Sequence, residues 1–345
     1  MALQNVQTAC WTPDSSHVIT VERGGDVATI RSLCDDDDHV EFKDPSLHYV
    51  SITRDGKTVF TAKTGVVTAW DRSSGRQLKV IPTLSLSSIS HSVSQDGKFV
   101  AECGSDGLVV VWKVGNDNSP WRRIPQGVVA YKITSFSFSS SNCSSSNPPL
   151  VAALCSDSKV RIFDLNSTEL VACSEARFTR FAWFADGRRL ALVQGNTIRI
   201  ASLRAQRKES RISLGVEYQG HTAPVVALAV CPTGRYIAST DSTSRVCIWN
   251  VVTGEQVVPP LAQGTGLIRT ISFSPDGKLL MLIDDVGILK VWDLTFLNVA
   301  AEVQTAKLGL QMVEEVSTQA KEDIKETIQR QVCDIYPMER RVFMQ

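Results

Sequence analysis

The side chains able to do chemistry are few and scattered along the 345 residues. Five histidines, His17, His39, His48, His91 and His221, include no H-E-x-x-H motif and no i,i+4 pair that would turn two imidazoles toward one zinc ion. Nine cysteines, at 10, 34, 103, 143, 155, 173, 231, 247 and 333, contain no C-x-x-C pair. Cys10, Cys155 and Cys247 lie in apolar, strand-like runs, which reads as buried free thiols in a reducing compartment. The chain has no G-x-S-x-G nucleophile elbow and no G-x-x-x-x-G-K-[ST] phosphate loop. Gly24-Gly25 and Gly264-Thr265-Gly266 are isolated loop signals. No catalytic, cofactor-binding or metal-binding residue is therefore assigned, and the reading is of a protein that is not an enzyme.

Two charge runs offer electrostatics in place of chemistry. Asp35 to Asp38 follow a strand-like run and read as a solvated loop, the alternative being a basic partner or a weakly held hard cation. Arg204, Arg207, Lys208 and Arg211 read as an exposed basic linker between units five and six, the alternative being contact with phosphate or RNA. Over the whole chain 36 basic residues balance 36 acidic ones. That balance disfavours a nucleic-acid backbone or an anionic membrane as the main partner. A hydrophobic content of 43% with 21% charged residues suits a soluble protein with a large core. The start, Met1-Ala2-Leu3-Gln4-Asn5-Val6, lacks the basic and apolar regions of a signal peptide, and no apolar run reaches about 18 residues. The expectation is a cytoplasmic protein, with the nucleus as the alternative.

The elements behind these residues recur at a fixed period. A turn phrase with Asp, Gly and a basic residue reads Thr53-Arg54-Asp55-Gly56-Lys57, Ser94-Gln95-Asp96-Gly97-Lys98 and Ser274-Pro275-Asp276-Gly277-Lys278. Looser copies start at Thr12, Phe184 and Cys231. Asp-Gly between apolar runs marks a hairpin, because Gly accepts the positive φ of a tight turn. Some 13 to 16 residues after each turn a later strand closes, at Ile30, Trp70, Trp112, Phe163, Ile200, Trp249 and Trp292. Successive closers are 40, 42, 51, 37, 49 and 43 residues apart. Trp70-Asp71, Phe163-Asp164 and Trp292-Asp293 carry an aromatic–Asp phrase.

This pattern resembles the WD40-repeat family over about 300 residues. The resemblance implies an all-β, seven-bladed propeller over residues 1–305, one four-stranded antiparallel blade per repeat around a central channel. It gives Trp70, Trp112, Phe163, Trp249 and Trp292 a structural role in the blade cores. It also implies protein–protein recognition as the function. Residues near the start of each inner strand lie toward the family's binding face, and Tyr49, Arg180 and Arg269 are the large or charged ones there.

The sequence departs from the family in three places. Regular repeats carry a Gly-His pair and an Asp about six residues before the Trp, which join a strand hydroxyl and the Trp in one hydrogen-bonded network. Here the one Gly-His pair is Gly220-His221, and Asp241 stands eight residues before Trp249. No unit then shows the network at standard spacing, and His221 reads as a buried side chain satisfied by Ser239, Thr240 or Asp241. The run Ser139 to Asn147, followed by Pro148-Pro149, reads as a flexible loop in the fourth blade. Few residues precede the first inner strand, so either Met1 to Asn5 or residues 298–305 supply the last blade's outer strand, and 298–305 are the preferred choice.

The tail, 306–345, is of another kind. Between Gly309 and Pro337, Val313, Val316, Ala320, Ile324, Ile328, Val332 and Ile335 recur at spacings of three and four. They predict an amphipathic α-helix of about six turns, with Glu326 and Arg330 as an i,i+4 pair on its polar face. Its apolar stripe over 313–335 needs cover: the propeller's own flank, a second copy, or a partner's helix. A polar face of mixed charge argues against membrane binding. The chain reads as a non-catalytic scaffold for other proteins within a multiprotein complex. The alternative is an RNA- or phospho-ligand-binding propeller acting through residues 204–211.

Overall fold

The computed structural model describes residues 2–34, 39–44, 46–63, 65–82, 88–94, 98–104, 109–114, 122–124, 132–139, 150–164, 169–204, 211–259, 261–262, 266–295 and 297. Asp35 to Asp38, most of the serine-rich run and the whole tail with its predicted helix lie outside these residues.

After β1 (Ala2–Leu3), the described strands fall into seven consecutive groups. The first blade holds β2 (Val6–Trp11), β3 (His17–Glu22), β4 (Val27–Ser32) and β5 (His39–Lys43). The second holds β6 (Tyr49–Ile52), β7 (Thr58–Lys63), β8 (Val66–Asp71) and β9 (Gln77–Pro82). The third holds β10 (Ser88–Val93), β11 (Phe99–Gly104), β12 (Val109–Lys113) and β13 (Arg122–Ile124). The fourth holds β14 (Ile133–Phe138), β15 (Leu150–Cys155), β16 (Val160–Asp164) and β17 (Leu170–Cys173). The fifth holds β18 (Arg180–Trp183), β19 (Arg189–Gln194), β20 (Thr197–Arg204) and β21 (Arg211–Tyr218). The sixth holds β22 (Val225–Val230), β23 (Tyr236–Asp241), β24 (Arg245–Asn250) and β25 (Leu261–Ala262). The seventh holds β26 (Ile268–Phe273), β27 (Leu279–Asp284) and β28 (Leu289–Asp293), completed by β1.

Each sheet is an antiparallel meander of four strands, and seven such sheets in a ring form the expected seven-bladed propeller. A blade is covered on both faces by its neighbours, so its second strand reads as a nearly unbroken apolar run. Leu190 to Val193 of β19 and Leu280 to Ile283 of β27 are buried throughout. The core is accordingly not one mass but seven clusters, one per seam. Between blades one and two, for example, Ile19, Ile30 and Phe42 meet Val50, Val59 and Trp70.

The turn phrase owes its recurrence to one geometry. The Thr53 hydroxyl donates to Asp55 Oδ1 (2.5 Å), which also accepts the Lys57 backbone N–H (3.0 Å). Gly56 takes the positive φ of 69° that completes the turn. Ser274 and Asp276 repeat the arrangement at 2.5 and 3.1 Å. The Asp after the closing Trp does the same for the next turn. Asp71 Oδ1 accepts from the Ser73 hydroxyl, the Ser74 hydroxyl and the Ser74 N–H at 2.7 to 2.8 Å, bonds that hold its carboxyl down at about 2.

Two expectations are corrected here. The ring does not close with residues 298–305: Ala2 pairs with Lys290 and Leu3 with Leu289, so two residues at the amino end supply the last blade's outer strand. A dipeptide suffices because the seam is tied at other points too. Val6 N–H donates to Gly287 O (2.8 Å), Trp11 Nε1 to Ser272 O (3.3 Å) and Asp276 N–H to Ser15 Oγ (3.1 Å). The second correction concerns register. Trp70, Trp112, Phe163, Trp249 and Trp292 pair with Val59, Val100, Val151, Ile237 and Leu280, and the same ladder position in blades one and five is Arg31 and Ala201. Ile30 and Ile200 are one residue off and point to the other face of the sheet, toward the following blade.

Candidate interaction surface

His221 belongs to a complete buried network despite the wide Asp spacing. Trp249 Nε1 donates to Ser239 Oγ (2.8 Å), the Ser239 hydroxyl donates to His221 Nε2 (2.6 Å), and His221 Nδ1 donates to Asp241 Oδ2 (2.9 Å). This direction of donation requires a neutral imidazole protonated on Nδ1. Burial agrees with it, pushing His221 below its usual value against the pull of Asp241. The eight-residue spacing works because Asp241 is the last residue of β23 and Trp249 lies across the turn on β24. Gly220 is part of the same fit: a side chain there would begin 2.9 Å from the Trp249 ring.

Blade two holds a second network that the sequence reading missed, because it contains no histidine. Trp70 Nε1 donates to Thr61 Oγ1 (2.8 Å), and Thr61 donates in turn to Asp44 Oδ2 (3.4 Å). Thr68 donates to the same oxygen (3.0 Å), and Lys63 Nζ reaches Asp44 Oδ1 (2.5 Å). By register Thr61 matches Ser239 and Lys63 matches Asp241, while Asp44 fills the place of His221. The basic and acidic positions have exchanged. In blade one Arg31 and Glu22 make an ion pair at 3.4 Å across the corresponding positions. The equivalent place in blade five is apolar, with Leu192 and Ala201 both fully buried.

These networks lie inside the blades and leave the channel mouth to other residues. Each blade's inner strand starts at the same mouth, and neighbouring starts touch. Gln7 Nε2 lies 3.3 Å from His48 Nδ1, and Arg180 Nε donates to Val226 O of the next blade (3.0 Å). Tyr49 opens β6 and is half-buried, Arg180 opens β18 and is exposed, and Arg269 is exposed at the irregular second position of β26. The structure thus puts all three expected partner-binding residues around one mouth, on blades two, five and seven. The small cleft beside Tyr49, lined by Val50, Phe60, Ser92 and Val93, lies between blades two and three.

The basic run is not a linker between units five and six. Arg204 pairs with Arg211 at the end of the β20–β21 ladder, so residues 205–210 connect two strands of blade five and lie outside the described residues. Of the cysteines, 10, 34, 155, 173, 231 and 247 are described and free. Burial pushes Cys10 up to about 12 and Cys247 up to about 11, which leaves both thiols protonated at neutral pH. Cys34 differs from the buried reading and is exposed. Among the described residues no three His, Cys, Asp or Glu side chains gather as a metal site requires.

Seven radial four-stranded blades with a Trp–Ser–His–Asp network define a WD-type β-propeller. Comparison with known sequences agrees: residues 77–113 and 213–250 match the family description "WD domain, G-beta repeat". Two stretches of the chain are thus WD40-type repeats, set within a seven-bladed β-propeller. Both matched stretches begin on the outer strand of one blade and end on the third strand of the next. Periodic tryptophan protein 2 homolog of Dictyostelium discoideum is 26% identical over 206 residues, 58% of this chain and 21% of that protein. Ribosome biogenesis protein BOP1 homolog of Oryza sativa subsp. japonica is 31% identical over 107 residues, 30% and 15% of the two chains. Transcription initiation factor TFIID subunit 5 of Caenorhabditis elegans is 33% identical over 60 residues, 17% and 9%. The matches thus span about a fifth or less of each relative. In fold the chain is similar to the Cps50 (Swd1) β-propeller domain of Myceliophteria thermophila, with a TM-score of 0.70 and 15% identity, covering 86% of this chain and all of that one.

Proposed function

We propose that this protein is a non-catalytic scaffold that joins other proteins into a multiprotein assembly, with the inner-strand mouth of the ring as its main binding face. The observation that carries the reading is the placement of Tyr49, Arg180 and Arg269 around one mouth of a rigid frame. Side chains of these types supply much of the energy at protein interfaces, and a frame already in place loses little freedom on binding. The relatives' names lend support, one being a transcription-factor subunit and another a ribosome biogenesis protein. The tail, 306–345, supplies a second attachment through its apolar stripe at 313–335, taken up by the ring's flank, a second copy or a partner helix. Protonated, buried thiols suit a reducing location, the cytoplasm or the nucleus.

Affinity purification with mass spectrometry tests the assignment on three proteins: the full chain, a chain ending at Thr305, and the full chain carrying Y49A, R180A and R269A. The triple variant is expected to keep its melting temperature and lose at least one partner of the full chain. The shortened chain is expected to lose a different set. A triple variant that retains every partner refutes the binding face.

A further inference from the structure

The turns that frame the mouth over blades four to six carry cations without matching anions. The second strand of each blade ends beside the start of the first, as Cys155 pairs with Ile133 and Asp241 with Val225, so the turn into the third strand lies at the mouth. Lys159 stands on that turn just before β16, and Arg245 opens β24. Arg177 precedes β18, which Arg180 opens. Hydrogen bonds join these turns into one surface. Phe178 N–H donates to Ser158 O (2.6 Å), which brings the segments of Arg177 and Lys159 together. Asn196 Nδ2 donates to His221 O (3.0 Å), linking blade five to the loop before blade six. Across the same seam Arg180 reaches Val226 O, and Arg245 Nη1 donates to Thr222 Oγ1 (3.0 Å).

Among the described residues none of the four is paired with a carboxylate, and Arg180 and Arg245 bond neutral oxygens. The carboxylates beside them are engaged elsewhere. Buried Arg161 grips Asp157 through two bonds of 2.9 and 2.6 Å. Asp241 is fully buried and bonded to His221 and Thr243. On these turns Glu175 alone is an exposed, unengaged carboxylate. Lys159, Arg177, Arg180 and Arg245 thus stand four against one, in a chain whose 36 basic and 36 acidic residues cancel. Unpaired charges of one sign on neighbouring turns give this sector a positive field that reaches into solvent.

We infer that this sector of the mouth recognises an acidic stretch of a partner protein, with Asp or Glu side chains spaced along an extended chain. The inference names the partner chemistry of the binding face proposed above and rests on that reading. The cations come from separate turns and are interleaved with exposed neutral residues, Ser156, Thr179, Asn196 and Thr222, and with Glu175. An extended peptide advances about 3.3–3.6 Å per residue, so it can set carboxylates opposite the cations and neutral residues opposite Glu175. A phosphate backbone is charged at every nucleotide and meets repulsion at Glu175 that it cannot avoid. Guanidinium groups already held by neutral acceptors keep their charge for an incoming carboxylate and lose little freedom in pairing with it.

The test titrates the full chain against three fluorescent probes: a peptide of six glutamates alternating with serine, the matching glutamine peptide, and a heptanucleotide RNA of six phosphates. At about 50 mM salt the glutamate peptide is expected to bind at least roughly tenfold more tightly than the glutamine peptide, a preference that shrinks toward about 500 mM. K159E/R177E is expected to weaken glutamate binding at least about tenfold, and the milder K159A/R177A about threefold, with unchanged melting temperatures. R188E/R235E makes the same change of net charge at exposed positions on the opposite face and should leave binding within about twofold. The inference is overturned if the glutamate peptide binds no better than the glutamine one, or if the two charge-reversed variants behave alike. Tighter binding of the RNA than of the glutamate peptide also overturns it, in favour of a nucleic acid. Should either happen while Y49A/R180A/R269A still loses partners, the binding face stands and the acidic partner falls. A triple variant that keeps every partner removes the face itself.

Discussion

Trp70, Trp112 and Trp249 share one ladder position in three blades, yet their indole N–H groups meet different surroundings. Those of Trp70 and Trp249 donate to hydroxyls, whereas Trp112 Nε1 is buried and meets no acceptor among the described residues. Trp249→Phe removes the donor to the Ser239 oxygen, which keeps its bond to His221, and is expected to cost about 1 kcal/mol beyond the loss of ring area, while Trp112→Phe carries no such penalty. Chemical denaturation of the two variants compares them directly. The exchanged pair in blade two gives a second test. Lys63→Asp or Asp44→His alone leaves a buried charge uncompensated, and each is expected to destabilise by about 2 kcal/mol. The double variant rebuilds the blade-six arrangement and should recover at least half of the combined loss. Acid sensitivity follows from His221. Its folded value lies below that of the unfolded chain, about 6.5, so the unfolded state binds the extra proton first. Stability that is full above that value is lost as pH falls through it toward the folded value. Melting curves from pH 7.5 to 5 should show this slope reduced in His221→Gln. The sequence displayed these networks unequally. Gly220-His221 flagged one, but Asp44 and Lys63 become a pair only when a loop and a strand end are folded together.

At the scale of the element, β1 is the shortest strand with the largest assignment. Ala2 and Leu3 add two register pairs to β28, and Leu3 packs with Val6, Trp11, Leu289 and Val291 at the closing seam. Deleting residues 1–4 is expected to lower the melting temperature by roughly 1–3 °C, on the order of 1–2 kcal/mol for a chain of this size. A chain ending at Leu297 should lose much less. Hydrogen exchange resolves where the effect falls: faster exchange confined to β28 and β2 fits this closure, and equal exchange in the two shortened chains contradicts it. The turns and third strands were legible because Asp, Gly and Trp sit at positions where few other residues work. Blades one and five carry a turn phrase but no closing aromatic. With two adjacent apolar or long side chains to choose from, Ile30 was indistinguishable from Arg31, and Ile200 from Ala201, until strand pairing set the face. Closure was illegible for another reason, since a dipeptide has no periodicity to read.

Across the whole molecule the ring separates interior from rim. Buried networks and seam clusters hold it together, and the inner-strand mouth carries Tyr49, Arg180 and Arg269. Tyr49, Arg180 and Arg269 could be placed from repeat phase alone, because the start of each inner strand follows from the turn phrase.

The N-terminal closing strand also sets a clock on synthesis. Leu3 leaves the ribosome 286 residues ahead of its partner Leu289. At 5–20 residues per second that interval is roughly 15–60 s. Throughout it the flank of blade one that carries Trp11 and Val18 has no seventh blade to cover it. The nascent chain must therefore be shielded over that time, and a chaperone that holds apolar strand edges is expected to crosslink to Trp11 in stalled chains shorter than about 290 residues and to release once β28 has cleared the exit tunnel.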